Sequence, residues 1–78
     1  MKIGDIVQNI RSVHDNPAVP GNPVEAGHLG VVIDIRPDTW NNPPLMNYVD
    51  VMLSANGKSV WCGNYAQGTF KVVQDASF

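Results

Sequence analysis

The 78-residue sequence predicts an all-β fold, five short strands curled into a small barrel. Three observations point there. The apolar runs are short and rich in Val and Ile, as strands are. Asn56-Gly57 stands between two such runs, and that dipeptide is the strongest short-range hairpin signal. No segment keeps an apolar helical face long enough to make a stable helix.

"DIVQNIRSV" (Asp5–Val13) spaces Ile6, Val7, Ile10 and Val13 in a way that fits neither strict alternation nor a helix face. It reads as a strand with a bulge near Gln8–Asn9. "LGVVIDIR" (Leu29–Arg36) places Val31, Ile33 and Ile35 on one face, with Val32 and Asp34 on the other. "NYVDVMLS" (Asn47–Ser54) alternates Val49, Val51 and Leu53 against Tyr48, Asp50 and Met52. The Asn56-Gly57 turn should fold Val49–Ser54 back onto Ser59–Cys62, since both residues tolerate positive φ. "GNYAQG" (Gly63–Gly68) is too short for a helix and reads as a single 3₁₀ turn. "TFKVVQ" (Thr69–Gln74) is the fifth strand, and Asp75–Phe78 is expected to fray.

Two long Pro-rich loops separate these strands. His14–His28, which contains "HDNPAVPGNP", runs to fifteen residues, and Pro37–Met46 ("PDTWNNPPLM") to ten. Loops beyond about 12–15 residues are uncommon in compact domains and tend to be functional. Their prolines stiffen a segment that ladder hydrogen bonds cannot hold, which lowers the entropy lost on ordering. The whole of 1–78 reads as one domain with its core over about residues 2–74.

Composition narrows the function classes. Charged residues make up only 15%, below the usual ~25%, so the surface relies on neutral polar groups. The net charge is −2, and Lys2, Arg11, Arg36, Lys58 and Lys71 are scattered. No basic stripe of the kind nucleic-acid binders display is visible, which disfavours a nucleic-acid partner. Cys62 is the only cysteine, so no internal disulfide can form. "MKIGDIVQ" lacks the apolar run of a signal peptide, and no run approaches a membrane span. The expected location is cytoplasmic, host cytoplasm or virion if the chain is phage-encoded, and no membrane association is expected.

"KIGDIVQNI", "GHLGVVIDI", "VDVML", the Asn-Gly hairpin, "VW" and a closing "FKVV" together resemble the SH3-like barrel group. More narrowly they are similar to KOW- and Tudor-like modules and to small SH3-like proteins of tailed bacteriophages. The residues that carry the resemblance are Gly4-Asp5, then Gly27, Gly30, Val32 and Ile35 in a G-x-x-G-x-V-x-x-I pattern, then Asn56-Gly57-Lys58 leading to Trp61. It implies a five-stranded SH3-like barrel whose long first loop corresponds to the RT loop. The departures limit what it implies about function. The alanine-leucine-tyrosine-aspartate-tyrosine signature of signalling SH3 domains is absent, so Pro-rich peptide binding is not carried over. KOW modules are typically basic, and this chain is acidic. No aromatic cage of the Tudor kind can be assembled from Trp40, Tyr48, Trp61, Tyr65 and Phe70.

Candidate residues each have two readings. Trp40, in "DTWNNPP", is either an exposed anchor or a cover folded over a barrel end. Trp61 packs on the core or rim, or contacts a groove. Tyr65, in the expected 3₁₀ turn, either faces a ligand groove or packs inward. His14, His28, Cys62 and the aspartates lack the paired two-to-four spacing of structural zinc ligands, so no metal and no other cofactor is expected. Cys62 without an activating neighbour reads as a small buried hydrophobe. Asp15, Asp34, Asp38 and Asp50 sit on a small barrel without a deep cleft to tune them, and no catalytic motif is present. The chain therefore reads as a non-enzymatic adaptor module, phage-encoded, that binds a protein partner. The expected surface is formed by the loops His14–His28 and Pro37–Met46 with Trp40, Trp61 and Tyr65, and Pro17, Pro20, Pro23, Pro43 and Pro44 stiffen it. The alternatives are a KOW-like RNA- or DNA-binding module and a virion accessory subunit of capsid or tail.

Overall fold

The computed structural model describes residues 1–14 and 23–76. Among them the chain is all-β, with seven strands and one short 3₁₀ turn. The strands are β1 (Ile6–Asn9), β2 (Val13–His14), β3 (Pro23–Val24), β4 (Leu29–Pro37), β5 (Asn47–Ala55), β6 (Lys58–Ala66) and β7 (Phe70–Gln74), with the turn at Gln67–Thr69. Five of them form one antiparallel sheet in the order β6-β5-β4-β1-β7, and β2 pairs with β3 as a separate ribbon.

The core follows from alternation. Val49, Val51 and Leu53 of β5 are fully buried, as expected for one face of a half-buried strand. Opposite them in register, Val32 and Cys62 are also buried, and Val7, Val13, Val24, Ala55 and Phe70 complete the cluster. The hairpin between β5 and β6 pairs Ala55 with Lys58, with Asn56 at φ 55 and Gly57 at φ 75. Two consecutive left-handed residues are what a type I′ turn requires, so Gly at the second position is a backbone necessity.

The sheet is not closed: β6 and β7 are its two edges, and the β2–β3 ribbon makes a 5 + 2 arrangement rather than five strands. The sheet nevertheless curls, because the three-residue 3₁₀ turn touches both β5 and β7, which stand three places apart. The gap between its edges is spanned by side chains, with Tyr65 of β6 edge-on to Phe70 of β7 at 6.3 Å between centroids. Asp5–Val13 is not one bulged strand. It breaks after Asn9, whose buried amide donates to the carbonyls of Arg11 and Glu25 and accepts from the His28 N–H. With Asn9 committed to those partners, the chain leaves the sheet and re-forms as β2.

On β4, Val32 is the buried residue and Ile33 is exposed, the reverse of the expected alternation. A bulge at Ile33 causes it: the register to β5 runs Val32↔Val51 and then Asp34↔Asp50, so Val32 and Ile35 both face inward. Strand β6 extends through Gly63–Ala66, and the 3₁₀ turn comes only afterwards. Of the first long loop, His14 and Pro23 pair at the loop end of the ribbon, while Pro17 and Pro20 lie outside the described residues.

Candidate functional site

The outward face of the β4–β5–β6 sheet carries the residues that the core does not use. Tyr48, Asp50 and Met52 alternate with the buried valines of β5, so all three point outward. Asp34 lies directly across from Asp50, and like charges placed so are unfavourable. Arg36, two residues further along β4 on the same face, resolves the conflict. Its Nη1 donates to Asp34 Oδ2 (2.6 Å) and to Asp50 Oδ2 (3.0 Å), and its Nη2 to Asp50 Oδ1 (2.7 Å) and to Asn64 Oδ1 (3.4 Å). The Arg36–Asp50 pair is thus bidentate, the geometry that holds both groups most firmly.

Asn64 enters this cluster through a second bulge. Strands β5 and β6 pair Val49 with Tyr65 and Val51 with Cys62, leaving Gly63 and Asn64 opposite Asp50 alone. Asn64 sits at φ 62 and donates its backbone N–H to Asp50 Oδ1 at 2.7 Å. The Arg36 guanidinium, followed by burial and the Asn64 N–H, sets the acidity of Asp50, and the net effect holds it below the usual carboxylate value. Asp50, then Asp34, in turn pushes the guanidinium further up.

The second loop leaves β4 at Pro37 and is organised by Asp38, one of three buried polar residues in the described chain. Its Oδ1 accepts the Trp40 N–H (2.8 Å), its Oδ2 accepts the Asn41 amide (2.5 Å), and its own N–H donates to the Met46 carbonyl (3.0 Å). An aspartate bonding the backbone two residues on is an Asx turn. The Asn41 amide, then the Trp40 N–H, lowers the Asp38 carboxyl from its ordinary value. This turn presents Trp40 outward: the side chain is 88% exposed. Trp40 therefore does not fold back over an end of the sheet. Together Arg36, Pro37, Thr39, Trp40, Tyr48 and Asn64 line an open recess of about 270 Å³.

The structure brings some of the expected site residues together and separates others. Trp61 lies opposite the outward-facing Met52, on the same face as the recess but nearer the hairpin. Its ring rests on Gly63: a Cβ there would collide with Trp61 Cη2 and Cζ2. Tyr65 is on the other face, opposite the fully buried Val49, and packs against the core. Its hydroxyl accepts the His14 N–H at 2.8 Å and so ties the β2–β3 ribbon to the sheet. Pro23 is in that ribbon, and Pro43 is exposed in the second loop after a cis Asn42–Pro43 bond. Pro37 and Thr39 belong to the second loop, which the sequence reading had placed on the surface, whereas Arg36, Tyr48 and Asn64 were missed. Arg36 could have been found by setting "IDIR" against "YVDV" in antiparallel register, which leaves two aspartates facing each other in need of a cation.

Comparison with family models, with curated proteins and with solved structures finds no match. Among the described residues, no group of three or more His, Cys, Asp or Glu could hold a metal ion. No helix among them is long and apolar enough to cross a membrane.

Proposed function

We propose that the chain is a non-catalytic, SH3-like binding module that docks a protein partner on the outward face of its sheet, at the recess beside Trp40. The observation that carries this reading is the exposure of Trp40 together with the way it is held. Trp40, 88% exposed, shares its loop with the exposed Leu45, and Asp38 fixes the loop backbone that presents it. Anchors of this kind, pre-set before binding, lose little entropy on docking and are enriched among interface hot spots. The SH3-like assignment rests on the curled antiparallel sheet and on the Gly27–Ile35 pattern leading into β5.

Support for a non-catalytic role comes from how the acidic groups are used. Asp5, Asp38 and Asp50 all have their pKa held below the ordinary carboxylate value by hydrogen bonds from backbone and side-chain donors. General acids and bases need the opposite, a pKa moved toward neutrality. A protein partner is favoured over nucleic acid because Arg36, the basic residue in the recess, is already paired with two carboxylates.

The test is capture from native lysate with tagged protein, at two salt concentrations, with and without nuclease, using wild type and Trp40→Ala. A partner that survives nuclease and high salt, and is lost with Trp40→Ala, supports the reading. Retention abolished by nuclease, or unaffected by Trp40→Ala, overturns it, and the first of these favours the KOW-like alternative.

A further inference from the structure

The recess has a charge as well as a shape. Arg36 lines it, and two carboxylates, Asp34 and Asp50, close on that single cation, so the cluster carries a net negative charge. The remaining basic side chains stand elsewhere. Lys58 is at the hairpin, at the opposite end of β5 and β6 from Tyr48, and Lys71 is on the far edge strand β7. Lys2 and Arg11 lie on either side of β1.

Arg36 does not convert the recess into an anion site. All four N–H groups of its two terminal nitrogens meet acceptors of the chain itself, on Asp34, Asp50 and Asn64. A guanidinium recognises carboxylate or phosphate through a free fork of donors, and this one has its fork closed on Asp50. Asp34, by contrast, has capacity to spare. Its side chain is half exposed, with one oxygen accepting from Arg36 and the other from the Ile35 N–H. An ionised carboxylate offers about four acceptor sites. Trp40, 88% exposed, lines the same recess as the Arg36 that these carboxylates hold, and the face of an indole attracts cations.

We infer that the partner inserts a basic side chain, Arg or Lys, which lies on the Trp40 ring and is neutralised by the excess carboxylate charge of Asp34 and Asp50. This rests on the reading of the recess as the docking site. A second copy of the chain is a poor occupant, because the same face would bring the same carboxylates against each other. A basic partner also matches the chain's overall charge of −2, which favours encounter.

The experiment uses Trp61→Phe, which leaves Trp40 as the sole tryptophan and its fluorescence as the signal. Capped hexapeptides of alternating Gly with Arg, with Lys or with Glu are titrated to millimolar concentration at low and high salt. The Arg and Lys peptides should quench or shift Trp40, more weakly at high salt, and the Glu peptide should not. Asp34→Asn, which keeps an acceptor for the Ile35 N–H, should weaken the basic peptides about fivefold or more, the loss of one charge-assisted contact. An equal response to the Glu peptide, no response to any peptide, or an unchanged response in Asp34→Asn overturns the inference. The two readings fail separately. If a captured partner depends on Trp40 but Asp34→Asn retains it fully, docking at the recess stands and the basic side chain falls. If basic peptides bind while Trp40→Ala still captures the partner, the docking reading falls instead.

Discussion

Asn9, Asp38 and Asp5 are the three buried polar residues of the described chain, and each ties together segments that no ladder joins. Asn9 holds the Glu25–His28 turn against the end of β1 through its amide and its carbonyl. Asn9→Ala would leave the Glu25 carbonyl and the His28 N–H short of a partner, at a cost of about 2–3 kcal/mol, measurable as a lower urea midpoint. Trp40→Ala is expected to behave oppositely. With 88% of its surface already in water, its removal should change stability by less than about 0.5 kcal/mol while abolishing partner capture. Asp38→Ala should lose capture too, although it leaves the indole in place, because the Trp40 N–H and the Asn41 amide lose their acceptor. Capture retained by Asp38→Ala at full affinity would show that the Asx turn does not position the anchor.

Among the elements, the β5–β6 hairpin is where local and long-range requirements agree. Asn56 and Gly57 supply the left-handed pair, and the flanking residues alternate correctly into the core. Gly57→Ala places a side chain at φ 75 and should cost about 1 kcal/mol or more, read by thermal melting. Gly63 is constrained differently, by the Trp61 ring lying across it. Gly63→Ala should lift that ring off the sheet, moving its fluorescence toward that of a solvated indole; an unchanged spectrum would contradict the packing. The bulges also have a common effect on the edges. Strand β6 carries its extra residue at Gly63–Asn64, and β7 carries one at Val73, since β1 pairs Ile6 with Gln74 and then Val7 with Val72. A bulged edge is a poor template for a further strand, so both open edges of the sheet are protected from pairing with other chains.

For the molecule as a whole, Asp5 joins the two ends of the chain. It accepts the Lys2 N–H at 2.8 Å and the Ala76 N–H at 2.7 Å, and its own backbone bonds to Lys2 and Val32. The Ala76 N–H, opposed by burial and reinforced by Lys2, lowers its pKa below the ordinary carboxylate value. Asp50 and Asp38 are shifted in the same direction, at the outward face and the second loop. A carboxyl whose folded pKa is depressed contributes stability above its unfolded value, about 3.9, and loses it as pH falls through the folded value. Stability should therefore not decline on these groups' account from neutral pH to about pH 4 and should fall steeply below it. Asp5→Asn should shallow that acid limb, and a thermal midpoint unchanged between neutral pH and strong acid would contradict the assignment.

How much of this was legible follows from how local each cause is. The β5 core face and the Asn56-Gly57 turn could be read directly, because alternation and turn chemistry involve neighbours in the chain. Even the Asx turn was written in "DTW", an aspartate two residues before the tryptophan, although its consequence for Trp40 was not. The Ile33 bulge was hinted at by Val32 and Ile35 standing three apart, a spacing strict alternation cannot bury together. Other features had no local signal. The break after Asn9 depends on carbonyls up to sixteen residues away, and the Arg36–Asp50–Asn64 cluster on three strands meeting in one register. The sequence by itself determined an all-β chain, its β5–β6 hairpin and the apolar face of β5. Whether the sheet closed, which face each tryptophan took and which carboxylates met Arg36 were decided only in three dimensions, since bulges on β4, β6 and β7 reset the register and with it the side every later residue faces.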